Sequence, residues 1–551
     1  MSSISLIGGP RFALSRWTLA LTLVSALGTT SLYAQSYDVL IRGGRIVDGT
    51  GNPWYYGDVA VKDGEIAAIG KLDDAQAARI IDATGMAIAP GFIDLHTHTN
   101  LLGNPLGQSK IRQGVTLDIM GEGGSVAPRD GLPAEGGESW TTFTEYFALL
   151  EKQGIAMNII SHIGEGQIRR VVMGYDPGPA SPAQLEQMKA LVERSLKEGA
   201  WGIVNMFESG GPAYPEETLA LAQVVADHGS VYFSHIGSEG YEQEQELAFA
   251  LRVAEEVGLP VHILHLKIRG EALWPALPSQ VEMLNVAREQ GLDITADVYP
   301  YTAMSHGWGA NFPVWMREKG PEQFAAYLND DSLRERIKSD PEFIAFSQEH
   351  GWWDGIAMSR SRSPELKQYE GMRVAEIAAL RADEDPADTI IALMAMDNGS
   401  IGGVFHNQDE ANVRLVLSQP WVAPASDGSA VDLTVQGVPH PRSFGTNARV
   451  LGRYVREENV LTLEDAVRKM TSLPAQILGL RDRGQIALGY AADIAVFDPA
   501  VVSDTNSFEQ PKSYAIGVPY VLVNGVLVVE GGEPTGQLPG RVLRGPAYVA
   551  Q

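Results

Sequence analysis

Between Ala156 and Val298 the chain alternates two kinds of segment, and this alternation restricts its fold more than any other feature. Short apolar runs at Ala156 to Ser161, Gly202 to Met206, Ser230 to His235, Val261 to His265 and Asp293 to Val298 have the length and composition of buried strands. Helical periodicity fills Ser181 to Lys197, Pro215 to His228 and Glu242 to Val257. Ser181-Pro182 and Tyr214-Pro215 are helix starts, with proline at the first helical position, where its missing N–H costs nothing. Buried strands joined by helices call for a parallel sheet. No glycine-rich phosphate loop follows the first strand, which favours a closed (β/α)8 TIM-like barrel over an open doubly wound sheet. Residues 310–400 carry helical stretches that break the rhythm and read as an insertion over the barrel mouth.

The two ends of the chain have a different texture. Tyr37 to Asp48 and Asp58 to Gly70 are β-rich and broken by Gly and Asp turns, and the same pattern returns at Gly484 to Gly489, Ala492 to Asp498 and Tyr520 to Val529. These runs are expected to pair into one discontinuous β-sandwich domain, residues 35–91 with 480–551, around a barrel at 92–479. Ahead of them, Arg11 and Arg16 precede an apolar run from Trp17 to Leu27 and a small-residue exit at Leu32-Tyr33-Ala34. Residues 1–34 read as a secretory signal peptide cleaved near Ala34, which implies a periplasmic or secreted protein. The run is too short to anchor in a bilayer, so no stable membrane insertion is expected after cleavage. Cleavage would take the formal charge from -26 to -28, since the segment holds two arginines and no acids. A chain this acidic is no nucleic-acid binder. With no cysteine, it must draw its stability from its core and any bound metal.

Barrel enzymes carry their chemistry at the carboxyl ends of the strands, so polar residues that end apolar runs are the candidates. His96 and His98 end Phe92-Ile93-Asp94-Leu95, spaced so that a strand would send both imidazoles to one side. Glu122 follows the run Val115 to Met120 between glycines; His235 and His265 end two of the strands above; Asp427 lies in Ala425-Ser426-Asp427-Gly428. Four imidazoles and two carboxylates suit one or two zinc ions, two being favoured, with Glu122 able to bridge them through its two oxygens. Lys267 shares the parity of His265 and should face the same cavity. His262 should face away and serve packing, and His228 should meet a helix C-terminus.

The order His-x-His, Glu, His, His, Asp resembles the amidohydrolase superfamily. Longer strings resemble its N-acyl-D-amino-acid deacylase (D-aminoacylase) branch: Gly91 to His98, Arg169 to Gly174, Asp297 to Ala303, His440 to Gly445 and Arg449 to Glu457. The resemblance implies that His96 and His98 hold one metal, His235 and His265 the other, with Glu122 between them, where many relatives carry cysteine. It makes Asp427 both a metal ligand and the general base. It assigns Lys267, Tyr299, Ser305 and Arg442 to the carboxylate of an N-acyl amino acid or dipeptide-like substrate. Gly237, and the run Gly202 to Glu208, depart from the branch at the pocket wall. The expected reaction is hydrolysis of the amide of N-acyl amino acids, the D-series by resemblance, by water activated on the metal. The alternatives are a metallodipeptidase, a cyclic amidase and a non-catalytic exported binding protein. Nothing in the sequence sets the oligomeric state.

Overall fold

The computed structural model describes residues 36–550 except 123, 133–139, 177, 206–213, 352 and 382–384. The leader reading and Met206 to Glu208 therefore lie outside the described residues. In chain order the strands begin with β1 (Ser36–Ile46), β2 (Tyr55–Lys62), β3 (Glu65–Gly70), β4 (Gln76–Asp82) and β5 (Ala87–Pro90). Next come β6 (Phe92–Thr97), β7 (Val115–Met120), β8 (Asn158–Ser161), β9 (Ile163–Gly164), β10 (Gly202–Asn205), β11 (Val231–Ser234), β12 (Val261–Ile263) and β13 (Ile294–Val298). β14 (Met304–Gly307), β15 (Ile356–Arg360) and β16 (Gly402–Phe405) precede β17 (Val422–Pro424), and the chain ends with β18 (Ile494–Phe497), β19 (Tyr520–Val523), β20 (Val526–Glu530) and β21 (Glu533–Pro534).

Two parallel sheets, β6-β7-β8 and β9-β10-β11-β12-β13-β17, make the core. The chain runs straight from β8 to β9 through His162, so those two short strands share one position in a ring of eight. At the other end, a single parallel bridge between Thr97 and Gly428 brings β17 back to β6. This is the α/β barrel read from the sequence. Leu95, Leu117, Ile119, Ile160, Val204, Phe233 and Leu264 pack together in one cluster, while Ile159, Ile203, Tyr232 and Ile263 belong to a second that includes helical residues. That division follows from the two-residue alternation of strand side chains.

The helices form where local signals place them. In Pro182–Lys197, Ser181 Oγ accepts from Gln184 N at 3.4 Å and Gln184 Oε1 accepts from Ser181 N at 2.9 Å, a reciprocal cap ahead of the proline. Met188, Val192 and Leu196, four residues apart, bury one stripe, each worth about 1.5–3 kcal/mol.

Both ends of the chain build one nine-stranded sheet. β18 runs antiparallel to β5, with Ile494 opposite Pro90 and Val496 opposite Ile88. The Gly484 to Gly489 run is a correction: it forms bends and a turn, since Gly484 (φ 83°) and Gly489 (φ 77°) leave the extended region. Residues 304–405 are helix-rich and also hold a small antiparallel sheet, β14-β16-β15, with an aromatic core of Trp308, Phe312, Phe343, Phe346 and Phe405.

Candidate metal centre

Every strand-end candidate around the ring reaches the same few ångströms. Glu122 arrives because Gly121 (φ 130°) lets the end of β7 pass His162 so closely that a Cβ would sit 2.5 Å from its carbonyl oxygen. Glu122 Oε2 contacts His96 Nε2 and lies 3.4 Å from His98 Nε2. Its other oxygen lies 3.3 Å from His235 Nε2 and 3.8 Å from His265 Nε2. Asp427 Oδ1 is 2.9 Å from His98 Nε2 and 3.6 Å from His96 Nε2. The six side chains therefore form two ligand sets, His96, His98, Glu122, Asp427 and Glu122, His235, His265, which share one carboxylate.

β12 stops at Ile263, so strand parity does not carry His265 inward. Its backbone turns to φ 33° and swings the ring over the mouth. Asp427 is also left-handed, at φ 46°. Non-glycine residues pay a steric penalty there, and such positions cluster at functional sites. His96 Nδ1 lies 3.3 Å from Asp297 Oδ1, which also accepts from His265 N at 2.8 Å. The other oxygen of Asp297 meets His262 Nε2 at 3.0 Å. The reading of His262 as an outward packing residue is thereby corrected: it faces inward and clamps the acid that orients His96.

The electrostatics follow from this crowding. Burial would raise the Glu122 carboxyl, but His96, His98 and His235 outweigh it and hold it at about 2. Burial also works against Asp427, and Arg442, His96 and His98 outweigh it, so its pKa lies well below the usual range. His235 and His265 are pushed down by burial and stay neutral, with lone pairs free to ligate. His96 goes the other way: burial opposes its charge, yet Glu122, Asp427 and Asp297 raise it well above an ordinary imidazole.

A divalent ion fits these residues. A tetrahedral site with bonds of about 2.0–2.1 Å has ligand edges of about 3.4 Å, close to the 3.4, 3.3 and 3.6 Å separations of His98–Glu122, His235–Glu122 and His96–Asp427. Four imidazoles and two carboxylates match the preference of zinc, and Asp297 supplies the outer carboxylate that metal-bound histidines usually have.

The four residues assigned to the substrate carboxylate lie beside this centre, and each has a partner already. Arg442 Nη1 is 2.7 Å from Asp427 Oδ2, and its Nη2 donates to Ser305 O at 3.2 Å. Lys267 pairs with Glu239, whose Oε1 is also 3.0 Å from His265 Nδ1. Tyr299 is buried and accepts from Gln408 Nε2 at 2.9 Å, leaving its own proton free to donate. Ser305 Oγ donates to Gly403 O at 2.8 Å. Lys267, Ser305, Asp427 and four of the metal-site residues line a cavity of about 1460 Å³. Asp297 and Glu239 were not among the sequence candidates. Asp297 lies one residue inside the end of β13 and is followed by apolar Val298, so it does not end an apolar run as His235 does after β11; Glu239 lies in a loop with no such signal.

The comparisons agree with this geometry. A family model described as "Amidohydrolase family" matches residues 79–338 and 364–529. An N-acyl-D-glutamate deacylase of Alcaligenes xylosoxydans xylosoxydans is 33% identical over 531 residues, covering 94% of this chain and 98% of the relative. A D-aminoacylase of the same organism is 32% identical over 529 residues, covering 93% and 98%. Among solved structures, an N-acyl-D-glutamate deacylase from Bordetella bronchiseptica, complexed with zinc and a phosphonate mimic of the tetrahedral intermediate, has a TM-score of 0.78 at 30% identity and covers 93% of this chain and all of its own. A D-aminoacylase structure has a TM-score of 0.77 at 31% identity, covering 92% and 100%.

Proposed function

The chain belongs to the amidohydrolase family, and on that premise we propose that it is a zinc-dependent hydrolase of the amide bond of N-acyl amino acids, with the D-series preferred. The observation that carries the reading is the sharing of Glu122: one carboxylate with two imidazoles facing each oxygen, and Asp427 beside one pair. His96, His98 and Asp427 would hold one ion, His235 and His265 the other, with Glu122 between. Ions bound there supply Lewis acidity, polarising the scissile carbonyl and lowering the pKa of water from 15.7 to about 7 in the best zinc case.

The chain's own residues do the rest. Asp427, ionised and fixed by Arg442, accepts the proton of the attacking water and passes it to the departing amine nitrogen. Tyr299 offers its hydroxyl proton, and Arg442 and Lys267 their charge, to the carboxylate of the amino-acid half. His262 and Asp297 keep His96 in one orientation and tautomer.

Other parts of the reading rest on sequence. Arg11, Arg16 and the apolar run to Leu27 support export to the periplasm or beyond, with residues 1–34 removed. Among the described residues, no helix is long and apolar enough to cross a membrane. The division into a terminal-sheet domain (35–91 with 480–551) and a catalytic body (92–479) belongs to the same proposal.

A screen of N-acyl-D- and N-acyl-L-amino acids, dipeptides and cyclic imides, with and without chelator, tests it. Chelator-sensitive release of D-amino acids is expected. Turnover confined to dipeptides or cyclic imides would move the chain to another branch of the family, and binding without turnover would make it a capture protein.

A further inference from the structure

The barrel ring has a weak seam. Among the described residues no ladder joins β17 to β6; beside the Thr97–Gly428 bridge, Asp427 N donates to His96 O at 2.8 Å and His98 N to Gly428 O at 2.9 Å. The general base of the proposed reaction hangs on this junction in a left-handed backbone conformation, so something must hold it there.

A buried ionic cluster lies at the same junction. Lys110, in the short helix Gln108–Ile111, has no solvent exposure. Its Nζ is 2.6 Å from Asp94 Oδ2 and 4.0 Å from Asp118 Oδ1, and it donates to Ser426 Oγ. Asp94 Oδ1 accepts from Ser426 N at 2.9 Å, and Ser426 Oγ accepts from Gly428 N at 3.0 Å. Both neighbours of Asp427 are therefore tied to one buried ammonium and its acid. A second arm runs from Asp118 Oδ2 through Thr99 Oγ1, at 2.6 Å, to Ala430 N, at 3.0 Å. Gly428 has no room for a side chain, since a Cβ would lie 2.9 Å from Ser443 Oγ. None of these groups touches the cavity, and a buried ion pair is weak as a source of stability. What the cluster does constrain is the conformation of residues 426–430.

We propose that Lys110 and Ser426 are positioning residues for Asp427: the buried ammonium fixes the Ser426 hydroxyl, which holds the Gly428 amide and thereby aims the Asp427 carboxylate at His98. The inference rests on Asp427 as the base, and its test has an arm independent of activity.

Ser426→Ala removes the hydroxyl link and leaves the Lys110–Asp94 pair in place. With an N-acyl-D-amino acid, kcat should fall about 10- to 100-fold, the loss expected of a misplaced reacting group. KM should stay near wild type, and Ser426→Thr, which restores the hydroxyl, should recover most of kcat. A crystal structure of Ser426→Ala should show Asp427 displaced from its 2.9 Å contact with His98. Wild-type kcat in Ser426→Ala, or an unmoved Asp427, would overturn the inference. If the wild-type protein hydrolyses no amide at all, the deacylase reading fails, and the position of Asp427 in the variant still decides this one.

Discussion

Asp427 joins three parts of the site: His98 on one oxygen, Arg442 on the other, His96 O on its amide. Asp427→Asn keeps size and packing but cannot accept the proton. It should lower kcat by about 10²- to 10⁴-fold while the variant stays folded; near-wild-type turnover would refute the base. Arg442→Ala removes a charge-assisted contact worth about 1.5–3 kcal/mol. It should raise KM for acyl amino acids well above its effect on the matching amides, and equal shifts for acids and amides would dismiss the carboxylate role. At this scale much of the site was legible, because a polar side chain that ends an apolar run stands out in sequence. The outer partners were less so. His262 was misplaced because parity was counted back from His265, whose φ of 33° lies beyond the end of β12. Lys110 carries no signal of its role, since nothing local shows that a lysine is fully buried.

Elements were legible where their signals are local. The helix expected over Ser181 to Lys197 runs Pro182–Lys197, and the one expected over Glu242 to Val257 runs Gln243–Val257, stopped by Gly258 at φ 75°. The β14-β16-β15 sheet was not legible, because Met304 pairs with Phe405 across the whole insertion and no short-range pattern encodes that register. His406, just after β16, carries a consequence for pH. Burial first, and Arg373 second, lower its pKa from 6.5 to about 4. The unfolded chain takes up that proton below 6.5 while the folded chain refuses it until about 4, so acidification across this window favours unfolding. The contribution is at most about 3 kcal/mol. In His406→Phe the loss of stability between these pH values should shrink, and parallel denaturation curves for the two proteins would show that His406 contributes nothing to it.

The whole molecule joins its two ends in one sheet and its remote strand ends in one centre, and neither pairing is written in any single stretch of sequence. Alternation of strand and helix fixed the class of fold; the closure at β17 and β6 depends on contacts between residues more than 300 positions apart, such as Ser426 with Asp94. Because zinc would bind only the folded arrangement, it should stabilise the protein by about 2.7 kcal/mol at a hundred times its dissociation constant. Chelation should accordingly lower the thermal midpoint by about 2–3 degrees in a chain of this size; an unchanged midpoint would mean that the ligand sets hold no ion. The central claim is tested most directly by the initial rate of amino-acid release from an N-acyl-D-amino acid, measured on chelated protein as zinc is added back. The rate should be near zero without metal and should rise with zinc bound per chain. A rate independent of zinc, or no release at any loading, would contradict the account.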